Sequence, residues 1–240
     1  MKIIADYHMH TKFSDGLGTI EEMVKVAKEK GLTKIAITDH GFFHKYFPLL
    51  RKEMPVVKRE IEVLQKKYDI KILFGVEANL ISRAGDIDIK EEDKEFFDII
   101  LLGFHKHTFS KSFNEWLAFI VPNFFCRLFK YTKKRIEINT NAYLNAIKKH
   151  KIHTLVHLGE HMKVDLVKIA KSCEKNNIYL EFNNKHKVNY DTIIKELIMT
   201  KVTFVLNSDS HNFSTVGECS NGIRYVLKYN IPLNQLANVK

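Results

Sequence analysis

Short apolar runs recur along the chain and alternate with segments in which apolar residues return every three or four positions. The short runs are rich in β-branched and aromatic residues and have the length of strands buried on both faces. Seven such strands are predicted, at 3–7, 34–38, 70–76, 99–104, 153–156, 178–182 and 203–207. The longer patterns predict helices at 51–68, 163–176, 190–200 and 216–229.

The segment after the first strand carries the signals of a helix with defined ends. Thr19-Ile-Glu-Glu22 has the spacing of a capping box, in which threonine and glutamate side chains satisfy free backbone N–H groups. Apolar residues follow from Met23 to Ala27, and Gly31 is placed to end the helix. A helix is therefore predicted between the first and second strands.

Seven strands that alternate with helices indicate parallel β-α-β units, in either a closed barrel or an open, doubly wound sheet. A polar residue able to bind a ligand ends or follows every strand, and in a barrel the loops after the strands build the active site. An open sheet would gather its ligands at one switch point instead. Contributions from all seven strands favour a closed barrel. Because no internal repeat and no Gly/Ser/Pro-rich linker occurs, we predict one domain over residues 1–240.

The residues at the strand ends are mainly histidine, aspartate and glutamate, the ligands of hydrolytic zinc, manganese and iron sites. They are His8, His10, Asp15, Asp39, His40, Glu77, His105, His157, Asn183, Asn184, Asp209 and His211. In the His8-Met-His10 motif both imidazoles point to the same face, because side chains alternate along a strand. A carboxylate such as Glu77 can bridge two ions, whereas a neutral imidazole cannot. A lone strand-end histidine is more often structural, but this whole series predicts a metal site able to grip a phosphate.

Composition and charge narrow the class of protein. Of 240 residues, 45% are hydrophobic, and 38 basic against 28 acidic residues give a net charge of +10. This charge favours anionic partners but identifies none, because the lysines are spread along the chain. Three scattered cysteines without a CxxC motif argue against a disulfide scaffold and a cysteine zinc site. The apolar start ends at Asp6, too soon for a secretory signal, so we expect a cytoplasmic protein.

The motifs HMHTKFSDG, ITDHG, GVEAN, GFH, LVH and NSDSH, in this order, resemble the PHP (polymerase and histidinol phosphatase) superfamily. Within it, the motifs EANL, GDID, LLGFH, LEFNN and SDSH are most similar to the small YcdX-like phosphatases. The resemblance extends from residue 3 to about residue 229. It implies an α/β fold, a distorted (β/α)7 TIM-like barrel, with the active site at the C-terminal ends of the strands.

The resemblance also implies a centre of three divalent ions with nine ligands. His8, His10, Glu77 and Asp209 would hold the first ion, Glu77 would bridge to a second completed by His105 and His157, and Asp15, His40 and His211 would hold the third. Zinc is the expected metal, with manganese and iron as alternatives, because oxygen and nitrogen ligands alone do not select among them. Asp209 and Glu77 are also expected to be catalytic, together with Asp39, which is not among the nine ligands.

The chain departs from the family pattern at two places. Asp15 stands where the YcdX-like group can offer a histidine, and His157-Leu-Gly-Glu-His161 stands where the family commonly has His-Pro-Gly. We expect His161 to close its loop, with metal binding as the alternative. His107, two residues after His105, is a further candidate that the resemblance does not support.

The implied activity is that of a metal-dependent phosphoesterase, which hydrolyses a small phosphomonoester by attack of a metal-bound hydroxide. Asp39 is expected to orient His40 or to cap a helix, and Arg83 and Asn183 are candidates for binding the substrate. A histidinol-phosphate phosphatase is the nearest alternative. A nuclease, a protein-tyrosine phosphatase and a non-catalytic metal-dependent regulatory protein are others. No nucleic-acid partner is expected, because no attached polymerase region and no aromatic–basic repeat occur.

The segment 106–150 between the fourth and fifth strands is longer than a minimal member needs, and it is aromatic and basic. Its aromatic residues include Phe113, Trp116, Phe119, Phe124, Phe125 and Phe129, near Arg127, Lys130, Lys133, Lys134 and Arg135. We expect a helical insertion that packs on the barrel. A lid, a dimer surface or a membrane contact over 113–135 is the alternative. The sequence leaves formation of a homo-oligomer open.

Overall fold

The computed structural model describes residues 1–125, 131–186 and 188–240. Seven strands lie in one sheet in chain order, and each pairs parallel to the next. They are β1 (Ala5–Asp6), β2 (Lys34–Ile37), β3 (Lys71–Asn79), β4 (Ile99–Gly103), β5 (Thr154–Leu155), β6 (Tyr179–Asn183) and β7 (Phe204–Asn207). The prediction of an α/β, TIM-like barrel is confirmed, because the parallel strands curve into a nearly closed barrel with helices between them.

The described helices are α1 (Ile20–Glu29), α2 (Met54–Tyr68), α3 (Glu91–Lys94), α4 (Phe113–Glu115), α5 (Val121–Phe125), α6 (Lys133–Lys149), α7 (Leu166–Lys175), α8 (Ile194–Met199) and α9 (Ser220–Tyr229). Short 3-10 helices occur at Arg51–Glu53, Phe213–Thr215 and Leu233–Gln235, and a π-helix at Trp116–Ile120. As predicted, Thr19 and Glu22 form a capping box at the start of α1. The helix predicted at 190–200 is shorter than expected, because residues 191–193 form a turn before it.

The barrel is closed by contacts between the ends of β1 and β7 rather than by a full ladder. Beyond the strands, Met9 and Ser210 form a single parallel bridge, and the His10 N–H donates to the Ser210 carbonyl oxygen at 2.7 Å. Buried Asp6 accepts from the Ser208 hydroxyl at 2.5 Å and from the Ser208 N–H at 3.1 Å. These contacts bring the residues after the first strand against the residues after the last.

The C-terminal residues fill the other end of the same seam. Asn238 is fully buried, and its amide donates to the carbonyl oxygens of Ala5 at 2.7 Å and of Leu206 at 2.6 Å. Its oxygen accepts from the Leu206 N–H at 3.0 Å, and Ile3 and Val239 form an antiparallel bridge nearby. One side chain therefore satisfies backbone groups on both edges of the opening.

The character of the buried residues changes along the strands. In β3, Ile72, Phe74 and Val76 belong to the apolar core, whereas Glu77 and Asn79 at the C-terminal end are buried and polar. Because all seven strands run in the same direction, their C-terminal ends form one rim. The polar residues that end the strands therefore converge at this rim.

The insertion between β4 and β5 contains α4, the π-helix, α5 and α6. Phe119 is buried, and its ring packs edge-on against Phe104 with 5.6 Å between centroids. The side-chain amides of Asn123 and Asn139 bond to each other at 3.0 and 2.8 Å. This part of the insertion therefore packs on the barrel. Arg127, Phe129 and Lys130 lie outside the described residues.

None of the helices in the described part of the chain is both long enough and apolar enough to cross a lipid bilayer.

We expect Asn238→Ala to lower the free energy of unfolding by about 3 kcal/mol or more, because buried backbone groups lose their partners. Urea denaturation followed by circular dichroism measures the change. Asn234→Ala, at an exposed asparagine in the same segment, is the matched control and should stay within about 0.5 kcal/mol of the wild type. Equal stabilities of the two variants would contradict the role of Asn238 in sealing the barrel.

Candidate metal centre

Glu77, in the C-terminal half of β3, is the centre of a buried polar cluster at the rim. Its side chain is 1% exposed, and its two oxygens lie between 2.7 and 3.6 Å from ring nitrogens of five histidines. Oε1 faces Nε2 of His8, His105 and His157, and Oε2 faces His10 Nε2 and His40 Nδ1. A carboxylate shared between two groups of imidazoles is suited to bridging two metal ions.

Two aspartates complete the cluster. Asp209 Oδ1 lies 3.5 Å from His10 Nε2 and 3.4 Å from His211 Nδ1. Asp15 Oδ1 lies 3.2 Å from His211 Nε2, and Asp15 Oδ2 lies 3.4 Å from His40 Nε2. The structure thus brings all nine residues that were predicted as ligands into one cluster.

Two of the cluster residues have an unusual backbone conformation. His157 (φ 34°) and Asp209 (φ 53°) both adopt the left-handed conformation, which is uncommon for residues with a side chain. Such conformations concentrate at functional sites. Gly103, in the GFH motif, leaves room for the cluster, because a Cβ there would lie 2.7 Å from His157 Cε1 and 3.2 Å from Glu77 Oε1.

Behind the cluster, Glu181 on β6 orients His8. Its carboxylate accepts from His8 Nδ1 at 2.8 Å, from the His157 N–H at 2.9 Å, and from the amides of Asn183 at 2.8 Å and Asn207 at 2.9 Å. Because a carboxylate only accepts hydrogen bonds, His8 carries a proton on Nδ1 and presents Nε2 to the cluster. Partners of this kind orient metal-binding histidines.

An asparagine orients His105 in the same way. Asp88 accepts from the Asn79 N–H at 2.7 Å and from the Asn79 side-chain amide at 2.6 Å. The Asn79 oxygen therefore faces His105 Nδ1, at 2.6 Å, and His105 directs Nε2 toward Glu77. Burial raises the pKa of Asp88 to about 6, against the hydrogen bonds it accepts. These partners hold His105 in place without taking part in the cluster.

The polar atoms of the cluster fit divalent cations better than they fit each other. Among the described residues, five buried side-chain polar atoms make no hydrogen bond of acceptable geometry, although His40 Nδ1 and Glu77 Oε2 lie 2.8 Å apart: Asp15 Oδ1, His40 Nδ1, Glu77 Oε2, Asp209 Oδ1 and His161 Nδ1. All but the last belong to predicted ligands, and buried polar atoms are rarely left unpaired without a reason. His8 Nε2 and His10 Nε2 lie 3.1 Å apart. Two ligands roughly 2.1 Å from one ion, at roughly 90–110°, lie about 3.0–3.4 Å from each other.

Within the described residues, three groups are compact enough to hold an ion, since their ligand atoms lie within 4.8 Å of one another. They are His10, Asp15, His40 and His211; His8, His10 and Asp209; and His40, Glu77 and His105. The resemblance assigned His40 to the ion of Asp15 and His211, whereas here it also lies beside Glu77. The number of ions and the division of ligands among them stay predictions.

Burial and close pairing of opposite charges set the protonation of the cluster. Burial alone would raise the pKa of Glu77, but His105, His8 and His40 hold that pKa well below its usual range. Burial would lower the pKa of His40, yet Glu77 and Asp15 raise it to about 10. The carboxylates are therefore ionised near neutral pH, and cations that bind here compete with protons on His8 and His40, whose pKa values the neighbouring carboxylates raise.

Asp39, predicted to orient His40 or to cap a helix, makes hydrogen bonds to the first loop. Its carboxylate accepts from the Thr11 N–H at 2.7 Å, from the Thr11 hydroxyl at 2.8 Å and from the Ser14 hydroxyl at 2.5 Å. Burial raises the pKa of Asp39, and these hydrogen bonds oppose the change. Asp39 thus stabilises the loop that carries the ligands of the first strand, and a catalytic role for it stays a prediction.

Asn183 and Arg83, predicted to bind substrate, make their contacts within the protein. Asn183 Nδ2 donates to Asp209 Oδ2 at 3.0 Å, which leaves Asp209 Oδ1 facing the cluster. Arg83 lies at the surface and pairs with Glu115, with Nη2 2.7 Å from Oε1. The structure therefore places Asn183 behind a ligand and Arg83 in a surface ion pair. Substrate binding by either residue stays a prediction.

Three further histidines border the cluster. His44 stacks on His40 with 4.2 Å between ring centroids, and His186 lies 5.0 Å from His157 by the same measure. Sequence reasoning missed both, although each follows a strand-end motif by a few residues, which was the available signal. His161, left open by the sequence, lies 5.9 Å from His157 between ring centroids.

Comparisons with known proteins cover most or all of the chain. A family model described as "PHP domain" matches residues 6–186. A protein of Acetivibrio thermocellus described as "Probable phosphatase" is 29% identical over 249 residues, which cover 99% of this chain and 92% of that protein. A protein of Tolumonas auensis with the same description is 30% identical over 231 residues, covering 91% of this chain and 82% of that protein.

A solved structure has a similar fold. It is the histidinol phosphate phosphatase of Lactococcus lactis, in complex with zinc, L-histidinol and phosphate. The TM-score is 0.65 at 18% identity, over 97% of this chain and 95% of that chain. At this level of identity the likeness concerns the fold, and it agrees with the barrel described above.

We expect the affinity of the cluster for Mn²⁺ to rise with pH across the neutral range. The raised pKa of His40, about 10, means that its proton is retained at neutral pH and must leave when an ion binds. Each proton displaced contributes about a tenfold change in affinity per pH unit. Isothermal titration calorimetry in buffers of different ionisation enthalpy measures both the affinity and the protons released. Constant affinity without proton release would show that His40 does not give up a proton when an ion binds.

We expect Glu181→Gln to weaken metal binding by about 10–100-fold, because one acceptor oxygen that faces N–H groups becomes a donor. The change leaves all nine predicted ligands in place, so it tests their orientation alone. Glu174→Gln, at an exposed position on α7, is the matched control and should bind metal like the wild type. Unchanged affinity in Glu181→Gln would refute the orienting role.

Proposed function

The chain belongs to the PHP domain family and is a metal-dependent phosphatase, and we propose that it hydrolyses a small phosphomonoester at a centre of three divalent ions. The observation that supports this proposal best is the Glu77 carboxylate, which is buried and lies within 3.6 Å of ring nitrogens of five histidines. Such a site is suited to cations, and phosphoryl transfer needs positive charge around the phosphate oxygens. Zinc is the proposed metal, with manganese and iron as alternatives.

The proposed ligands are His8, His10, Asp15, His40, Glu77, His105, His157, Asp209 and His211. Bound ions supply Lewis acidity, which makes water a nucleophile near neutral pH and neutralises charge on the phosphate and the leaving oxygen. In the net reaction water adds to phosphorus and the P–O bond to the alcohol breaks. One proton of the water passes to the alcohol oxygen, so the products are the alcohol and hydrogen phosphate.

The contribution of the protein is to fix the ligands before the substrate arrives. Glu181 holds His8 through Nδ1 at 2.8 Å, and Asn183 holds Asp209 through Oδ2 at 3.0 Å. The other polar atoms of these two side chains, His8 Nε2 and Asp209 Oδ1, then face the cluster. Groups that are already oriented need no reorganisation during the reaction. This preorganisation accounts for much of the catalytic effect of a polar site.

The exposed side of the cluster carries positive charge of its own. Lys185 Nζ lies 2.8 Å from His211 Nε2, and His211 is among the less buried members of the cluster. An ammonium at this position attracts a phosphate dianion over about 8 Å at physiological ionic strength. The net charge of +10 acts in the same direction.

We expect Glu77→Gln to lower phosphatase activity by about a thousandfold or more, because loss of the shared charge costs several kcal/mol of transition-state stabilisation. Hydrolysis of p-nitrophenyl phosphate with added Mn²⁺ or Zn²⁺ measures the effect. Glu62→Gln, at an exposed glutamate on α2, is the matched control and should retain full activity.

Equal activity of Glu77→Gln and wild type would remove the proposed role of the shared carboxylate. Metal bound without turnover on any ester would favour the alternative of a regulatory metal-binding protein. Histidinol phosphate, assayed in parallel, tests the alternative substrate. Metal analysis of the purified protein should find about three ions per chain if the division into three sites is right.

A further inference from the structure

A groove lined mainly by apolar side chains lies beside the cluster. Its volume is about 790 Å³, within the range of roughly 300–1,000 Å³ that is typical of small-molecule sites. Much of its wall is formed by Tyr46, Phe109, Phe113, Trp116 and Leu117, whose side chains are between 39% and 71% exposed. Contiguous exposed apolar surface of this kind marks a binding site more often than an ordinary surface.

The loop after β4 runs from the metal cluster directly into the groove. His105 Nε2 lies 3.2 Å from Glu77 Oε1, and the next two residues, Lys106 and His107, line the groove. Because consecutive Cα atoms are about 3.8 Å apart, the groove begins one residue away from a predicted ligand. His107, which the sequence suggested as an additional ligand, is thus part of the groove.

The loop after β2 makes the same transition. His44 stacks on His40 with 4.2 Å between ring centroids, and Lys45 and Tyr46, next along the chain, line the groove. His44 also pairs with Thr108 in an antiparallel bridge, which ties this loop to the loop after β4. Two loops that each begin at a predicted ligand therefore run side by side from the cluster to the groove.

We propose that the groove binds the leaving group of the substrate, and that the substrates are amphiphilic phosphomonoesters with the phosphate at the metal centre and an alkyl or aryl group in the groove. This inference rests on the proposed phosphatase function and narrows its substrate class. Lys45 and Lys106 add positive charge to the groove lining. A positive and apolar surface complements a molecule with an anionic head and an apolar tail.

The composition of the groove favours an apolar occupant over a small polar alcohol. Its aromatic wall offers a large apolar contact area. The hydroxyls of Thr108, Ser110 and Ser112, which also line the groove, already make hydrogen bonds within the protein, so they offer a polar leaving group little. Each methylene group that the wall removes from water improves binding by about fourfold. An alkyl chain of several carbons would therefore raise kcat/KM markedly if the groove accepts it.

Methyl, butyl and octyl phosphate, each below its micelle-forming concentration, test this inference with the Mn²⁺-loaded enzyme and an assay for released phosphate. Wild-type kcat/KM should rise at least about tenfold from methyl to octyl phosphate. Trp116→Gln and Phe113→Gln should each remove most of this rise, measured as the ratio of kcat/KM for octyl phosphate to kcat/KM for methyl phosphate in the same variant. Leu227→Gln, at an equally apolar position on α9 that is 66% exposed, should keep the rise.

The outcomes separate the two proposals. Hydrolysis of all three esters without dependence on chain length overturns the role of the groove and leaves the phosphatase function standing. Failure to hydrolyse any ester with metal bound contradicts the phosphatase function itself. Sedimentation of the wild type, but not of Trp116→Gln, with phosphatidylcholine–phosphatidylserine vesicles, together with no dependence on chain length, would show that the groove meets a membrane and overturn the inference.

Discussion

The burial of one carboxylate, Glu77, is the constraint on which the rest of the structure depends. A buried charge is strongly unfavourable unless opposite charges or metal ions surround it. The groups that surround Glu77 come from the ends of four other strands, as His8 and His10, His40, His105 and His157. These strands are consecutive in the sheet around β3, and closure of the barrel between β1 and β7 adds Asp209 and His211 to the same cluster. The electrostatics of the site and the closure of the barrel therefore support each other.

The seam between the first and last strands is where this closure is most vulnerable. The described ladder between β1 and β7 is reduced to a single bridge beyond the strand ends. Asp6 and Asn238 replace the missing backbone pairs with side-chain hydrogen bonds. Because His10 follows β1 and Asp209 follows β7, the same seam determines whether these two cluster residues meet. Polar side chains remote from the metal site are thus part of its support.

The predicted metal ligands and the residues that line the groove follow one another in the same loops. The positions nearest the strand ends carry groups suited to metal ions, and the following positions form the apolar groove. In barrels, the scaffold that holds the reactive groups can stay constant while the outer parts of the loops vary. The long insertion after β4 fits this division, since Phe119 packs on the barrel while Trp116 lines the groove. A change of substrate class would then need no change in the metal cluster.

The sequence by itself determined the order of strands and helices and the residue types at the rim. Short apolar runs rich in β-branched and aromatic residues and helix-capping signals are local, so seven strands and the start of α1 could be predicted from them. Tertiary structure alone decided which distant groups meet. It placed Glu181 behind His8, joined Asp39 to Thr11 and Ser14, and paired Arg83 with Glu115. These contacts join residues that are far apart along the chain. A local sequence pattern predicts the direction of a side chain but not which distant residue it contacts.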